Sequence, residues 1–378
     1  MNFEHTETRR MLGDSLDRFI AEKYDFSVRN GHAYSECGYS SELYAHFIDL
    51  GVVGAMFPES CGGFGGEGFD IQVIFESLGR GLVVEPFLDV LMIGRTLAAY
   101  GTENQKAYLA DLIAGRKIAA FAHDEPGSFH QLNNVATTAR RVERGWLLNG
   151  SKTCVAFGDS ADLLLVSARS SGEVFDEEGI SVFVIPSDTP GISVRGHGRI
   201  DGGRVADVTL NDVTVPAASL VGEEGNGFAV LEHAVGWGIL AACAEALGAM
   251  RVVAQNTVDF LKTRRQFGVP IGSFQALQHR MVDMLIEVEQ AHSAVINLAS
   301  SIDSEDRFTR ERAVSAAKYT VDRTATLIGE EGIQIHGGIG MTWEFPVSHY
   351  AKHLIMLGHR LGDEDHHIAR YIALGCRH

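Results

Sequence analysis

The hydrophobic pattern of this chain changes period twice, and that double change restricts the fold more than any single motif does. Before Lys117, apolar residues recur at helical spacing: Leu12, Leu16, Phe19 and Ile20 in one run, Leu43, Phe47 and Leu50 in the next, then runs through Phe69 to Leu78 and Leu88 to Tyr100. From Lys117 the pattern becomes short β-type runs divided by turn signals. Gly145 to Gly150 reads as a hairpin end, Leu163–Val166 and Ile180–Ile185 as apolar strands behind it, and Val208, Leu210, Val213 and Val215 as an alternating run closed by Pro216. After the linker Leu220–Phe228 every segment reads helical again: Phe228–Arg264, Phe274 to about Ser301, Arg310–Leu327 and the stretch beyond Phe345. The order predicts an α+β chain with a helical N-terminal domain over 1–116, an antiparallel β middle domain over 117–222 and a helical C-terminal bundle over 223–378. At 378 residues the chain is long for one hydrophobic core, in keeping with more than one packed domain.

Between the two longest helical runs lies Thr263-Arg264-Arg265-Gln266-Phe267-Gly268-Val269-Pro270-Ile271-Gly272-Ser273-Phe274-Gln275, where glycine and proline stop helix formation twice beside paired arginines. Arginine offers a rigid fork of donors that matches phosphate, so the corner is either a phosphate holder or a plain surface turn, and spacing alone leaves both open. The net charge of −17, from 49 acidic against 32 basic residues, argues against nucleic acid or an anionic membrane as a general partner. Any phosphate must then be held by a local cationic site.

The five cysteines, Cys37, Cys61, Cys154, Cys243 and Cys376, are scattered and form no CxxC pair, which points to reduced thiols in a cytoplasm. The polar start has no apolar leader core, and no uninterrupted apolar run approaches the ~20 residues a membrane span needs. Gly63-x-Gly65-x-x-Gly68 matches a dinucleotide fingerprint in form only, because that motif needs a preceding strand and follows an amphipathic helix here. His349 and His353 stand at a spacing that can bind metal, yet no glutamate completes a HExxH pattern, and packing histidines are the expectation.

Five motifs in order carry more: Pro58-Glu59 with Gly62-Gly63, Glu125-Pro126-Gly127, Val215-Pro216 with Leu220 to Phe228, Arg264 to Gly268 with Phe274-Gln275, and Gln334-Ile335-His336-Gly337-Gly338-Ile339-Gly340. Together they resemble the acyl-CoA dehydrogenase family over essentially the whole chain. The resemblance implies FAD in a split site, with the isoalloxazine on the chain's own middle domain and the ADP half held by a neighbouring subunit. The residues holding that ADP half map onto Arg264, Gln266, Phe267, Ile271 and Gln275, and onto Gln334, Gly337 and Gly338. Arg264 suits pyrophosphate, the glutamines suit ribose or phosphate, Phe267 and Ile271 offer apolar walls, and the two glycines leave room for a cofactor backbone.

The isoalloxazine half departs from the family pattern. Asp124 stands in place of a hydroxyl donor ahead of Glu125-Pro126, Cys154 where a tryptophan usually shields the flavin, and Ala156 where a threonine usually bonds it. The reaction needs a carboxylate to take the α proton while hydride leaves the β carbon. The two family positions for that base fall on the Leu361-Gly362-Asp363 run and on Gly238, and Leu361 and Gly238 are not acids. Asp363 and Glu245 are the available substitutes, each with a plainer reading as a solvated or packed acid.

Intact ADP elements with an eroded flavin face resemble the small subunit of hetero-oligomeric acyl-CoA dehydrogenases, including those linked to dicarboxylyl-CoA or steroid side-chain oxidation. The expected partners are an acyl-CoA substrate, a homologous catalytic subunit and an acceptor such as electron-transfer flavoprotein. The alternatives are a self-sufficient homotetramer with an unusual base and a non-catalytic acyl-CoA-binding scaffold.

Overall fold

The computed structural model describes residues 5–376. The helices are α1 (Glu7–Lys23), α2 (Phe26–Ala33), α3 (Ser41–Asp49), α4 (Gly68–Arg80), α5 (Phe87–Tyr100), α6 (Glu103–Ile113), α7 (Gly227–Thr263), α8 (Gln275–Ser301), α9 (Arg307–His336), α10 (Pro346–Gly358) and α11 (Glu364–Gly375). The strands are β1 (Ala119–Ala122), β2 (Thr138–Val142), β3 (Gly145–Ala156), β4 (Leu163–Arg169), β5 (Ile180–Pro186), β6 (Ile192–Gly198), β7 (Arg204–Pro216), β8 (Leu220–Val221), β9 (Arg265–Gln266) and β10 (Val269–Pro270). The described residues divide into two compact units, each built from separated stretches: 5–29, 67–83 and 239–376 in one, 30–66 and 84–238 in the other.

The first unit is helical apart from the two-stranded β9–β10 hairpin. α9 packs against α8, α10 and α11, and α4 packs against α1 and α8. The crossing of α4 on α7 depends on two glycines: a Cβ at Gly79 would lie 1.9 Å from the Glu245 carbonyl oxygen, and one at Gly248 would lie 2.0 Å from that of Glu76. Only glycine lets two helix backbones approach so closely. Helix ends are set locally, with Thr6 capping α1, Asp306 capping α9 and Pro346 opening α10. α9 is longer than the Arg310–Leu327 that periodicity predicts, because its late glycines serve contact rather than termination: a Cβ at Gly332 would meet Val253 of α7 at 2.5 Å. α7 is long and apolar enough to cross a membrane by length and composition, but Glu232, His233 and Glu245 interrupt its apolar run and 83% of its most apolar window is buried inside the fold, as in a core helix.

The second unit holds an eight-stranded sheet in the order β6-β7-β3-β2-β4-β5-β8, with β1 paired to β4. The sheet is mixed rather than wholly antiparallel, since β1 and β4 run parallel from Ala119↔Leu163 to Ala122↔Val166. The β2–β3 hairpin intervenes between them in the chain, so the polypeptide re-enters beside β1 in the same direction. That hairpin turns at Glu143-Arg144, and Gly145 to Gly150 forms the first half of β3 instead of the turn itself. Its inward residues Trp146 and Leu148 join Val166, Phe183, Ile185, Val208 and Val213 in the buried core of the sheet. β3 slips register against β7 between Lys152 and Val155, a bulge that puts Cys154 in the left-handed region at φ +54 and leaves it exposed. Among the described residues no strand precedes the Gly63–Gly68 stretch; Gly63 packs against the Phe57 and Gly54 carbonyls, where a Cβ would sit 2.1 and 2.5 Å away, so this is a close-packed turn and not a phosphate loop.

Candidate functional site

The arginine corner is more sharply built than its sequence suggests. β9 and β10 pair antiparallel across a two-residue turn, Phe267-Gly268, in which both residues have positive φ, +52 and +79. Such a turn suits glycine at both places, and an aromatic residue there stores backbone strain. The strain holds the Phe267 ring in the open, 90% exposed, with only an edge contact to Phe274 at 6.1 Å. The corner closes through the Ile271 amide, which donates to the Arg264 carbonyl at 2.9 Å. The Arg264 guanidinium makes no hydrogen bond or ion pair among the described residues, while Gln266 donates to the Arg265 carbonyl at 2.9 Å.

The second group of expected residues sits at the end of α9. Gly337 caps that helix with φ +66, and a Cβ on either Gly337 or Gly338 would meet no atom within 4 Å. His336, between Gln334 and these glycines, packs its ring at a tilt against Phe260 of α7 with centroids 4.5 Å apart, and its Nδ1–H donates to the Gly332 carbonyl at 2.7 Å. Burial lowers the His336 pKa. Phe260 lies one helical turn before Arg264, so the His336–Phe260 contact gathers both groups at one end of the helical unit. Arg264, Gln266, Phe267, Gln275, Gln334, Gly337 and Gly338 are exposed and Ile271 is half-buried. An ADP group fits this donor set: a partnerless guanidinium, exposed amides and open space over two glycines.

Three domain profiles match the chain: acyl-CoA dehydrogenase N-terminal domain over residues 6–116, middle domain over 120–213 and C-terminal domain over 225–365. The short-chain specific acyl-CoA dehydrogenase of Megasphaera elsdenii is 30% identical over 331 residues, covering 83% of this chain and 84% of that protein. The chain belongs to the acyl-CoA dehydrogenase family. This is a family of FAD-dependent oxidoreductases, and the chain has its fold: helices, then a β region, then helices. Among solved structures, the ChsE4-ChsE5 complex from Mycobacterium tuberculosis superposes with a TM-score of 0.91 at 25% identity over all of both chains. The FAD complex of PigA does so at 0.92 and 25%, also over all of both chains.

Against that family, the acids expected as substitute bases are engaged elsewhere. Glu245 is buried, and its Oε1 accepts from His353 Nε2 at 2.9 Å. Asp363 caps α11 by accepting from the His366 amide at 2.9 Å. Leu361 has φ +62, and its carbonyl faces His367 Nε2 at 2.9 Å. Upstream, buried Lys318 holds the end of α10 by donating to the Leu357 and Gly358 carbonyls at 3.1 and 3.3 Å, and it pairs with Asp322. Burial pushes Asp322 up to about 7 against the opposing charge of Lys318. His349 Nε2 lies 2.8 Å from the Trp343 carbonyl while His353 serves Glu245, so these two rings have separate partners.

The β unit contains a buried polar cluster whose role the motifs alone did not reveal. Lys152, 1% exposed, donates to Glu125 Oε1 at 2.7 Å, to the His123 carbonyl at 3.0 Å and to Ser167 Oγ at 3.0 Å. Glu125 also accepts from the amides of Ala136 and Thr137, at 2.9 and 3.0 Å. Burial by itself raises the Glu125 pKa, but the Lys152 charge and the Thr137 hydrogen bonds outweigh it and hold the carboxyl below its ordinary value. Burial pushes His123 down to about 4, so its ring is neutral at pH 7 and shares a 2.8 Å hydrogen bond with Ser167. The cluster ties the end of β1 to β3 immediately before the bulge at Cys154. Charged residues in the otherwise apolar runs, Glu125 and Lys152 in particular, were the available signal.

Proposed function

We propose that the chain is the subunit of an acyl-CoA dehydrogenase that lends the ADP-binding half of a FAD site to a catalytic partner chain, in α,β-dehydrogenation of an acyl-CoA thioester. Bound FAD supplies the hydride acceptor. Arg264 neutralises pyrophosphate charge, Gln266, Gln275 and Gln334 hydrogen-bond the ribose or phosphate edge, Phe267 and Ile271 wall the apolar faces, and Gly337 and Gly338 leave the cofactor backbone room. The observation that carries the reading is an asymmetry. The Arg264 corner presents unengaged donors to the outside, whereas Glu245 is bound to His353 and Asp363 to the α11 amide. Cys154 and Ala156 at the flavin face, and the resemblance to a chain of the two-component ChsE4-ChsE5 complex, support it further. Expression alone and with homologous chains encoded nearby, followed by flavin absorbance and acyl-CoA oxidation, tests the proposal. The lone chain should carry little flavin and no turnover; full loading and turnover by the lone chain would refute it.

A further inference from the structure

At the end of α9 remote from the arginine corner lies a cavity of about 380 Å3 that the proposed function does not use. Arg312, which lines it, is separated from Gln334 by roughly 33 Å along the helix at 1.5 Å per residue. Beside it stand the rings of Phe308 and Tyr371, the methyls of Ala313 and Ala316, and the polar side chains of Asn297, Ser301, Asp306 and Thr309.

Arg312 sets the chemistry. Its guanidinium lies over the Tyr371 ring, 4.6 Å from the centroid, and donates to the phenol oxygen at 2.9 Å. Among the described residues that is its only side-chain hydrogen bond, and no carboxylate pairs with it. The neighbouring Arg310 and Arg370 both hold Glu311, so acids are not scarce here; Arg312 is the cation left without one. A guanidinium has five N–H donors, and most of these remain open. The acid that does line the cavity, Asp306, is spent on the α9 cap, accepting from the Phe308 amide at 3.3 Å, the Thr309 amide at 3.0 Å and the Thr309 hydroxyl at 2.5 Å. Its charge is offset by the helix end that it caps.

We propose that this cavity binds a small carboxylate with an aromatic or apolar body. The carboxylate takes the open side of the Arg312 fork, and the body lies against Phe308, Tyr371 and the two alanines. A volume of about 380 Å3 accommodates a single-ring acid but not the nucleotide portion of a CoA ester together with its acyl chain. The site is independent of the FAD corner.

Calorimetric titration of the full-length chain with sodium benzoate tests the assignment. Benzoate should bind saturably at one site per chain, and benzyl alcohol, with the same ring and no charge, at least about tenfold more weakly. Arg312→Gln should weaken benzoate at least about tenfold, and Arg312→Lys, which keeps the charge and loses the fork, by an intermediate factor. Ser301→Phe, which blocks the cavity and keeps Arg312, should abolish binding in a protein whose thermal melt matches wild type. Absence of saturable binding to the wild type, equal affinity for benzyl alcohol, or undiminished benzoate binding in a folded Arg312→Gln or Ser301→Phe protein would overturn it.

Discussion

Replacing Lys152 by methionine should destabilise the β unit by about 3–5 kcal/mol, the range for removing one partner of a buried ion pair. The upper range applies because both side chains are dry, at 0% and 7% exposure, so little solvent is at hand to take over the abandoned charge. Methionine fills most of the lysine volume, which keeps the loss electrostatic; the Glu125 carboxylate remains with only the Ala136 and Thr137 amides, and the His123 carbonyl and Ser167 lose a donor. Urea unfolding followed by the fluorescence of buried Trp146, in the same core, reads the change. The pH dependence separates charge from packing. In the wild type Glu125 is held low, so its stabilisation is present at neutral pH and is lost as pH falls through that depressed value. In Lys152→Met a buried carboxyl without its cation is raised instead, so its penalty is relieved as pH falls through the raised value. The gap between the two proteins should therefore narrow from about pH 7 to about pH 5, and Lys152→Met/Glu125→Gln should recover most of the loss at neutral pH. A gap below about 1 kcal/mol, or one independent of pH, would refute the reasoning.

Other consequences bear on the cofactor and the base. Arg264→Gln should weaken FAD retention in the assembled enzyme about 10- to 100-fold, the loss of a charge-assisted hydrogen bond, read by flavin fluorescence on dilution. Gly338→Leu should change the melting of the chain by no more than about 0.5 kcal/mol, since its side chain enters open space, yet it should strip flavin from the assembly. Glu245→Gln and Asp363→Asn, each assembled with the catalytic partner, should turn over within about twofold of wild type in a dye-reduction assay; a loss near the 10²-fold expected of a lost general base would make that residue the base instead.

The alternation of helical, β and helical stretches was legible because periodicity is a local property, and the buried faces of α1 and β3 fall where the spacing of Leu16, Ile20, Trp146 and Leu148 puts them. What escaped depends on contacts distant in the chain. The parallel pairing of β1 with β4 follows from where a hairpin lets the chain re-enter, and the full length of α9 from Gly332 packing on Val253. Glu245 finds His353 across 108 residues, a pairing that no spacing rule anticipates, and it recasts a candidate base as half of a buried pair. At the arginine corner the residue types were readable, but the positive φ of Phe267, which turns a buriable ring outward, was not.

The flavin stoichiometry of the assembled enzyme bears most directly on the division of labour between subunits. The chain purified alone, and then with a homologous chain that carries a glutamate base, should be compared by FAD absorbance per polypeptide and by acyl-CoA oxidation. The lone chain should carry little flavin and show no turnover, and an active complex should hold one FAD for each pair of unlike chains. One FAD per copy of this chain, with turnover in the absence of any partner, would contradict it.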